Sequence, residues 1–177
     1  MTTFPPVSSV ITIQGEEEPI AIGFSAVAAY HGQAALAMLA VTFQALKTAI
    51  ALLSPEAPPR RDDISIVSGH PGPGVRDAFE FVARAVTRGA YAVDRSLPEA
   101  RLAPGFDISY SFRITIGGRT AELALRSDAL PERFFSLNFT PDRSTDENAE
   151  LSRLKRAIAA DVLAGPAHAL FDVRIVS

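Results

Sequence analysis

The chain has 177 residues, of which 47% are hydrophobic and 21% charged, a composition typical of one compact globular domain. Its formal net charge of -3 offers no electrostatic basis for binding nucleic acid or an anionic membrane, so we expect neither as a partner. The chain contains no cysteine, which excludes disulfides, thiolate nucleophiles and sulfur-ligated metal centres built from it, and which fits a cytoplasmic location.

The first third of the sequence predicts a strand followed by two helices. Residues 7–14 (VSSVITIQ) alternate weakly and are β-branched, as in a strand. Residues 24–53 are helical in composition, and Gly32 predicts a break between a short helix and a long one, because glycine disfavours helix interiors by about 1 kcal/mol. The uncharged run at 20–45 is long enough to cross a bilayer, but its polar side chains favour a buried core helix. A proline-rich connector at 54–63 ends that helix.

A strand, a glycine-rich loop and an amphipathic helix are predicted next. Residues 64–69 (ISIVSG) read as a short apolar strand. Apolar side chains then recur every three or four residues from Val75 to Val86, which is the stripe of an amphipathic helix. Gly89, just past Arg88, occupies the position of a glycine that ends a helix, so we expect this helix to run to about that point.

The last part of the chain carries the clearest strand pattern. Residues 107–126 contain two alternating runs separated by Gly117–Gly118, which predicts a two-residue hairpin. Ser144–Glu147 (STDE) predicts a capping box that opens a helix, and residues 169–176 (ALFDVRIV) close the chain as a strand. These elements predict an α+β fold: a single domain over residues 1–177, with a mixed or antiparallel sheet packed by the long N-terminal helix and two further helices.

The order of strand, glycine-rich loop and helix at 64–79 is also the layout that binds phosphates. Its details argue against an ordinary nucleotide site. Val75 and Arg76 stand where a P-loop needs lysine and then serine or threonine. Pro71 and Pro73 also remove two backbone N–H donors from the loop.

Four polar residues at the ends of elements are the candidate ligand-binding set: His31, Gln33, His70 and Asp77. His70 lies on a loop that its prolines stiffen and that we expect to be exposed, and His31 and Gln33 flank the glycine break. Side chains at element ends can point into a shared cleft. His31, His70 and Asp77 would make a three-ligand metal site with an open position, suited to zinc. Each also has an ordinary explanation, as a solvated imidazole or as a carboxylate favoured by a helix dipole.

The pairing of YHGQAALAMLAVTFQAL with ISIVSGHPGPGVRDAFEFVARAVTRGAY resembles the formylmethanofuran dehydrogenase E-like family over residues 24–94. His31–Gly32 matches the His-Gly that opens the family's long apolar helix, and Asp77–Ala78 matches its Asp-Ala pair. Gln33 replaces the family's second histidine, and Ala35 replaces its cysteine. The resemblance implies the fold and a cleft at the mouth of the long helix, with weaker metal ligation than in the family.

We therefore expect a small-ligand or weak metal-binding protein of this family type. Two alternatives stay open. The first is a metal-dependent enzyme in which His31, His70 and Asp77 hold an ion that activates water. The second is an interaction subunit with a vestigial site. The sequence indicates no definite cofactor, and a divalent metal such as zinc is the one candidate. Because the apolar face of the long helix looks too extensive for one sheet to cover, we expect a homodimer.

Overall fold

A computed structural model of the chain describes residues 9–176, which form one α+β domain of helices packed on a mixed sheet. The expected fold class is confirmed. In chain order the elements are β1 (Val10–Gln14), β2 (Pro19–Gly23), α1 (Phe24–His31), α2 (Leu36–Leu53), β3 (Ile64–Ser68), α3 (Pro73–Ala83), β4 (Tyr91–Val93), β5 (Ser111–Ile116), β6 (Arg119–Leu125), α4 (Glu132–Asn138), α5 (Thr145–Ala164) and β7 (Phe171–Val176).

The strands form two sheets. β1 and β2 make a two-stranded antiparallel sheet, and the other five strands make a sheet in the order β4-β3-β5-β6-β7. Within the larger sheet β3 and β4 run parallel, whereas the remaining neighbours are antiparallel. The parallel pair is joined by α3, as a crossover connection requires. This arrangement places the loop that follows β3 beside the N-terminal end of α3.

α2 is the central helix of the domain. It packs against α1, α3 and α5 and against strands β5 and β6. By length and composition it could cross a membrane, but 72% of it is buried inside the protein, as predicted for a core helix. The apolar face of α2 therefore gives no reason to expect a homodimer, because the rest of this chain already covers it.

Local signals located several boundaries correctly. Gly117 and Gly118 both have positive φ, 57° and 81°, and they join β5 to β6 as the two-residue turn that the sequence predicts. Ser144 and Glu147 form the predicted capping box at the start of α5. The break between α1 and α2 falls at Gly32, whose φ is 88°.

Other expectations need correction. α3 ends at Ala83, before the predicted end near Gly89, because Arg84 adopts a left-handed conformation with φ 51°. The Glu80 carboxylate then accepts hydrogen bonds from the N–H groups of Val86 and Thr87, which holds the chain in a turn. Strands β2 and β4 and helix α4 were not predicted. Within the predicted first strand, residues 7 and 8 lie outside the described part of the chain.

Candidate functional site

His31 and Asp77 are in direct contact, closer than the approach across a shared cleft that the sequence predicted. Nδ1 of His31 lies 2.8 Å from Oδ2 of Asp77, and the two side chains are 10% and 21% exposed. Arg76 donates to the other carboxylate oxygen of Asp77 at 3.2 Å. The contact ties the last residue of α1 to α3. A carboxylate on Nδ1 orients the imidazole and leaves Nε2 as its second functional nitrogen.

Gln33 does not join this pair. It has a left-handed conformation with φ 67° and is exposed to solvent. Its backbone N–H donates to the carbonyl of Ala28 at 3.0 Å, so its main role in the fold is to close the C-terminal end of α1. Its side-chain amide has no hydrogen bond within the described chain.

His70 is buried, contrary to the exposed loop that the sequence predicted. Only 9% of its surface is accessible. The hydroxyl of Ser68 accepts from the His70 N–H at 3.1 Å and donates to the His70 carbonyl at 2.9 Å, so the loop folds inward at this residue. The edge-on ring of Tyr110 lies 4.9 Å from the imidazole between centroids. Burial also raises the pKa of Tyr110 to about 12.

The hydrogen bonds of His70 define which of its nitrogens carries the proton. The N–H of Gly72 donates to Nδ1 at 2.9 Å, so Nδ1 must be unprotonated. Burial, assisted by the charge of Arg95, lowers the pKa of His70 to about 4, and the ring is therefore neutral at pH 7. A neutral imidazole whose Nδ1 accepts must carry its proton on Nε2. That Nε2–H has no acceptor among the described residues.

Two glycines of the GHPGPG loop allow close approaches that no other residue would permit. A Cβ on Gly72 would lie 2.5 Å from Cε1 of His70, so the absence of a side chain leaves room for the imidazole. A Cβ on Gly74 would lie 2.6 Å from Cβ of Ala35. The beginning of α3 can therefore lie directly against the beginning of α2.

This contact creates a cavity of about 200 Å³ at the mouth of α2, which we call the α2 cavity. It lies between the first turns of α2 and α3, α4 and α5, and it is partly open to solvent. Its walls are formed by Ala35, Ala37, Met38, His70, Gly72, Pro73, Gly74, Val75, Phe134, Asn138 and Lys155. Of the candidate residues from the sequence, only His70 lines it, and the described walls contain no aspartate or glutamate.

Two helices begin at the α2 cavity without side-chain caps. The residues that precede them, Ala35 for α2 and Gly72 for α3, make no capping hydrogen bond through a side chain. The backbone N–H groups that lack a hydrogen-bond acceptor in the described chain are those of Leu36, Ala37, Met38, Gly74 and Val75. By contrast, Ser144 and Glu147 satisfy the start of α5. The α2 cavity therefore meets two helix N-termini, where backbone dipoles favour negative charge.

Lys155 of α5 supplies a cation to the same walls. Its ammonium group donates to the carbonyl of Ala34 at 3.4 Å, and no carboxylate in the described chain pairs with it. Burial, together with repulsion from Arg143, lowers the pKa of Lys155. Lys155 and Asn138 are polar residues of the cavity walls that the sequence did not indicate, because both lie on helices with no recognisable motif.

The described residues do not assemble the predicted three-ligand metal site. His31 and Asp77 pair with each other, whereas the polar contacts of His70 are with Ser68 and Gly72. Within residues 9–176, no group of three or more histidine, aspartate or glutamate side chains is placed to hold a metal ion.

Comparison with known proteins adds no assignment. No protein-family model matches the chain, and no curated protein matches it significantly.

Proposed function

We propose that this chain is a small-ligand-binding protein of the formylmethanofuran dehydrogenase E-like type, with its site in the α2 cavity. One observation carries the proposal. The cavity lies at the mouth of the long helix and is lined by polar hydrogen atoms that have no acceptor within the described chain, above all Nε2–H of His70. Donors that face a cavity without a protein acceptor are free to bind a ligand, and a ligand that displaced water without offering them an acceptor would lose about 1–3 kcal/mol for each.

A ligand other than a metal is the better proposal for this cavity. The Nε2 of His70 carries a proton and so cannot coordinate a cation unless that proton is lost. The ammonium of Lys155 would also repel a metal ion. Metal binding through His31 and Asp77 alone would be weak, since zinc sites use three or four protein ligands.

Binding can be tested by titrating ¹⁵N-labelled protein with a set of small neutral, cationic and anionic compounds. We expect at least one compound to shift the amide resonances of residues 35–38 and 72–75 together, because both segments line one cavity. Replacing Asn138→Leu should reduce these shifts by filling part of the space. The matched control is Ser152→Leu, which adds a leucine at an exposed position of α5 outside the cavity.

The proposal would be wrong if no compound shifts these amides in a protein whose spectrum shows that it is folded. It would also be wrong if the same shifts persist unchanged in folded Asn138→Leu protein, because the compound would then bind elsewhere.

A further inference from the structure

We infer that the ligand of the α2 cavity is a small organic monocarboxylate, a carboxylate group attached to a short apolar chain. This inference rests on the proposed function and names the chemical class of the ligand. Three features of the cavity support this inference. Its unsatisfied polar groups include several hydrogen-bond donors, its walls contain one cationic residue, and its remaining surface is apolar.

Apart from the Asn138 carboxamide, which offers both an acceptor and a donor, the unsatisfied polar groups at the cavity are hydrogen-bond donors. Nε2–H of His70 is a donor within a residue that is more than nine-tenths buried. The free N–H groups at the starts of α2 and α3 are donors as well. Lys155 adds an ammonium group. A ligand that satisfies such groups must present acceptors, and a carboxylate is an acceptor-only group with two oxygens.

A ligand with one negative charge would balance the net charge of the cavity walls. Lys155 is the single cationic residue among the described cavity walls, and no carboxylate opposes it there. A monoanion would therefore compensate it, whereas a phosphate dianion would leave excess negative charge in a partly buried space. Pro73 further reduces the number of backbone donors that an anion could contact, because it removes one of the first N–H donors of α3.

The rest of the cavity is apolar and small. Met38, Val75 and Phe134 contribute hydrocarbon surface, so part of the ligand should be hydrocarbon. A volume of about 200 Å³ is below the range of roughly 300–1,000 Å³ that holds drug-sized ligands. Both facts favour an acid with a short carbon chain.

The test compares propionate with its neutral and cationic counterparts, propionamide and propylamine, and with inorganic phosphate. Binding is read from the amide resonances of residues 35–38 and 72–75. Propionate should bind and saturate at millimolar concentrations, and the other three probes should bind at least about tenfold more weakly, as expected when a charge-assisted hydrogen bond is lost. Lys155→Gln should weaken propionate binding by a similar factor. The matched control Arg84→Gln removes an arginine just beyond the C-terminal end of α3, outside the cavity walls, and should leave propionate binding unchanged.

The outcomes separate the two proposals. Equal binding of propionamide and propionate would refute the carboxylate assignment while leaving ligand binding intact. Preference for phosphate would likewise refute the monoanion, and unchanged propionate binding by folded Lys155→Gln protein would remove the role of that lysine. If none of the four probes binds but another compound shifts the same amides, the carboxylate inference fails and the proposed function stands.

A second inference comes independently from the edge of the large sheet. The geometry points to a homodimer formed by antiparallel pairing of two β7 strands. β7 is an edge strand that leaves Val173 and Ile175 37% and 42% exposed. Glu122 is shared between Arg113 and Arg174, so Arg174 does not have a carboxylate to itself. Asp172, two residues from Arg174, has no ion-pair partner in the described chain.

Charge selects the register of this pairing. A two-fold axis at Val173 places Asp172 of each copy opposite Arg174 of the other, with Val173 facing Val173. An axis at residue 172 or at residue 174 would instead place like charges opposite each other. The second copy thus supplies the partner that Asp172 lacks, and pairing would cover an otherwise open edge.

Light scattering coupled to size exclusion tests the dimer. The wild type should be dimeric at low micromolar concentration, and both Asp172→Arg and Arg174→Asp should be monomeric alone, because each places like charges opposite one another. Mixed in equal amounts, the two variants should form a heterodimer, since both cross-strand pairs then have opposite charges. Asp161→Arg, at an exposed position of α5, is the control and should remain dimeric. A monomeric wild type, or variants that dimerise alone, would overturn the inference.

Discussion

Protonation of His70 should destabilise the protein in mild acid by an amount that its burial determines. The pKa of this histidine is about 4 in the folded chain, against 6.5 for an unperturbed side chain. The unfolded state therefore binds a proton more readily, so the stability that the neutral ring contributes is full above pH 6.5 and falls as the pH drops toward 4. The difference between these two pKa values lowers the free energy of unfolding by about 2 kcal/mol between neutral pH and about pH 5.

Urea unfolding at about pH 7.5 and about pH 5 measures this loss. His70→Asn is the informative variant, because the asparagine oxygen can accept from the N–H of Gly72 but does not titrate. Its stability should be lower at both pH values, since the contact with Tyr110 is lost, but its pH-dependent loss should be about 2 kcal/mol smaller than that of the wild type. His168→Asn replaces an exposed histidine and should show the wild-type loss.

If His70→Asn and the wild type lost equal stability on acidification, then His70 would not be held neutral by burial. The assignment of its proton to Nε2 would lose its main support, and with it the donor that lines the α2 cavity.

Three further outcomes follow from the geometry. Gly74→Ala should lower the free energy of unfolding in urea by about 1–3 kcal/mol, as overpacking does, because the new Cβ would overlap Ala35. The control Gly23→Ala, whose Cβ would meet an ordinary contact at 3.7 Å, should lower it by less. Equal losses in the two variants would disprove the close approach at Gly74. Calorimetric titration with zinc should show weak binding at most, and tight stoichiometric binding abolished by His31→Ala and by His70→Ala would restore the metalloenzyme alternative. Ser144→Ala should lower stability by about 1 kcal/mol through loss of the α5 cap, and an unchanged unfolding midpoint would contradict that role.

Features encoded by neighbouring residues could be predicted from the sequence. The glycine pair 117–118, the capping box at 144–147 and the break at Gly32 each depend on backbone preferences within a few residues. β4 has only three residues and exists because it pairs with β3, so no local pattern identifies it. The early end of α3 was also missed, because the left-handed backbone of Arg84 and the hydrogen bonds of the Glu80 carboxylate determine where the helix stops, and the apolar stripe does not reveal them.

The candidate site was only partly predictable, because most of its contacts join residues that are far apart in the sequence. Placing His31 and Asp77 at element ends indicated that they lie near each other, but their direct hydrogen bond was not predicted. The burial of His70 depends on Ser68 and Tyr110, and the second of these is 40 residues further along the chain. Lys155 lies on a largely polar helix, where a lysine is normally solvated. Its position beside the start of α2 follows from helix packing and has no counterpart in local sequence.

The walls of the α2 cavity have a consequence for the order of events during folding. They come from α2, from the segment around α3, from α4 and from α5, and the contact between Lys155 and Ala34 spans 121 positions. The α2 cavity cannot be complete before α5 has docked against α2. A bound ligand would therefore protect backbone amides throughout these helices from hydrogen exchange, including many that it does not touch, because opening any one of the four would release it.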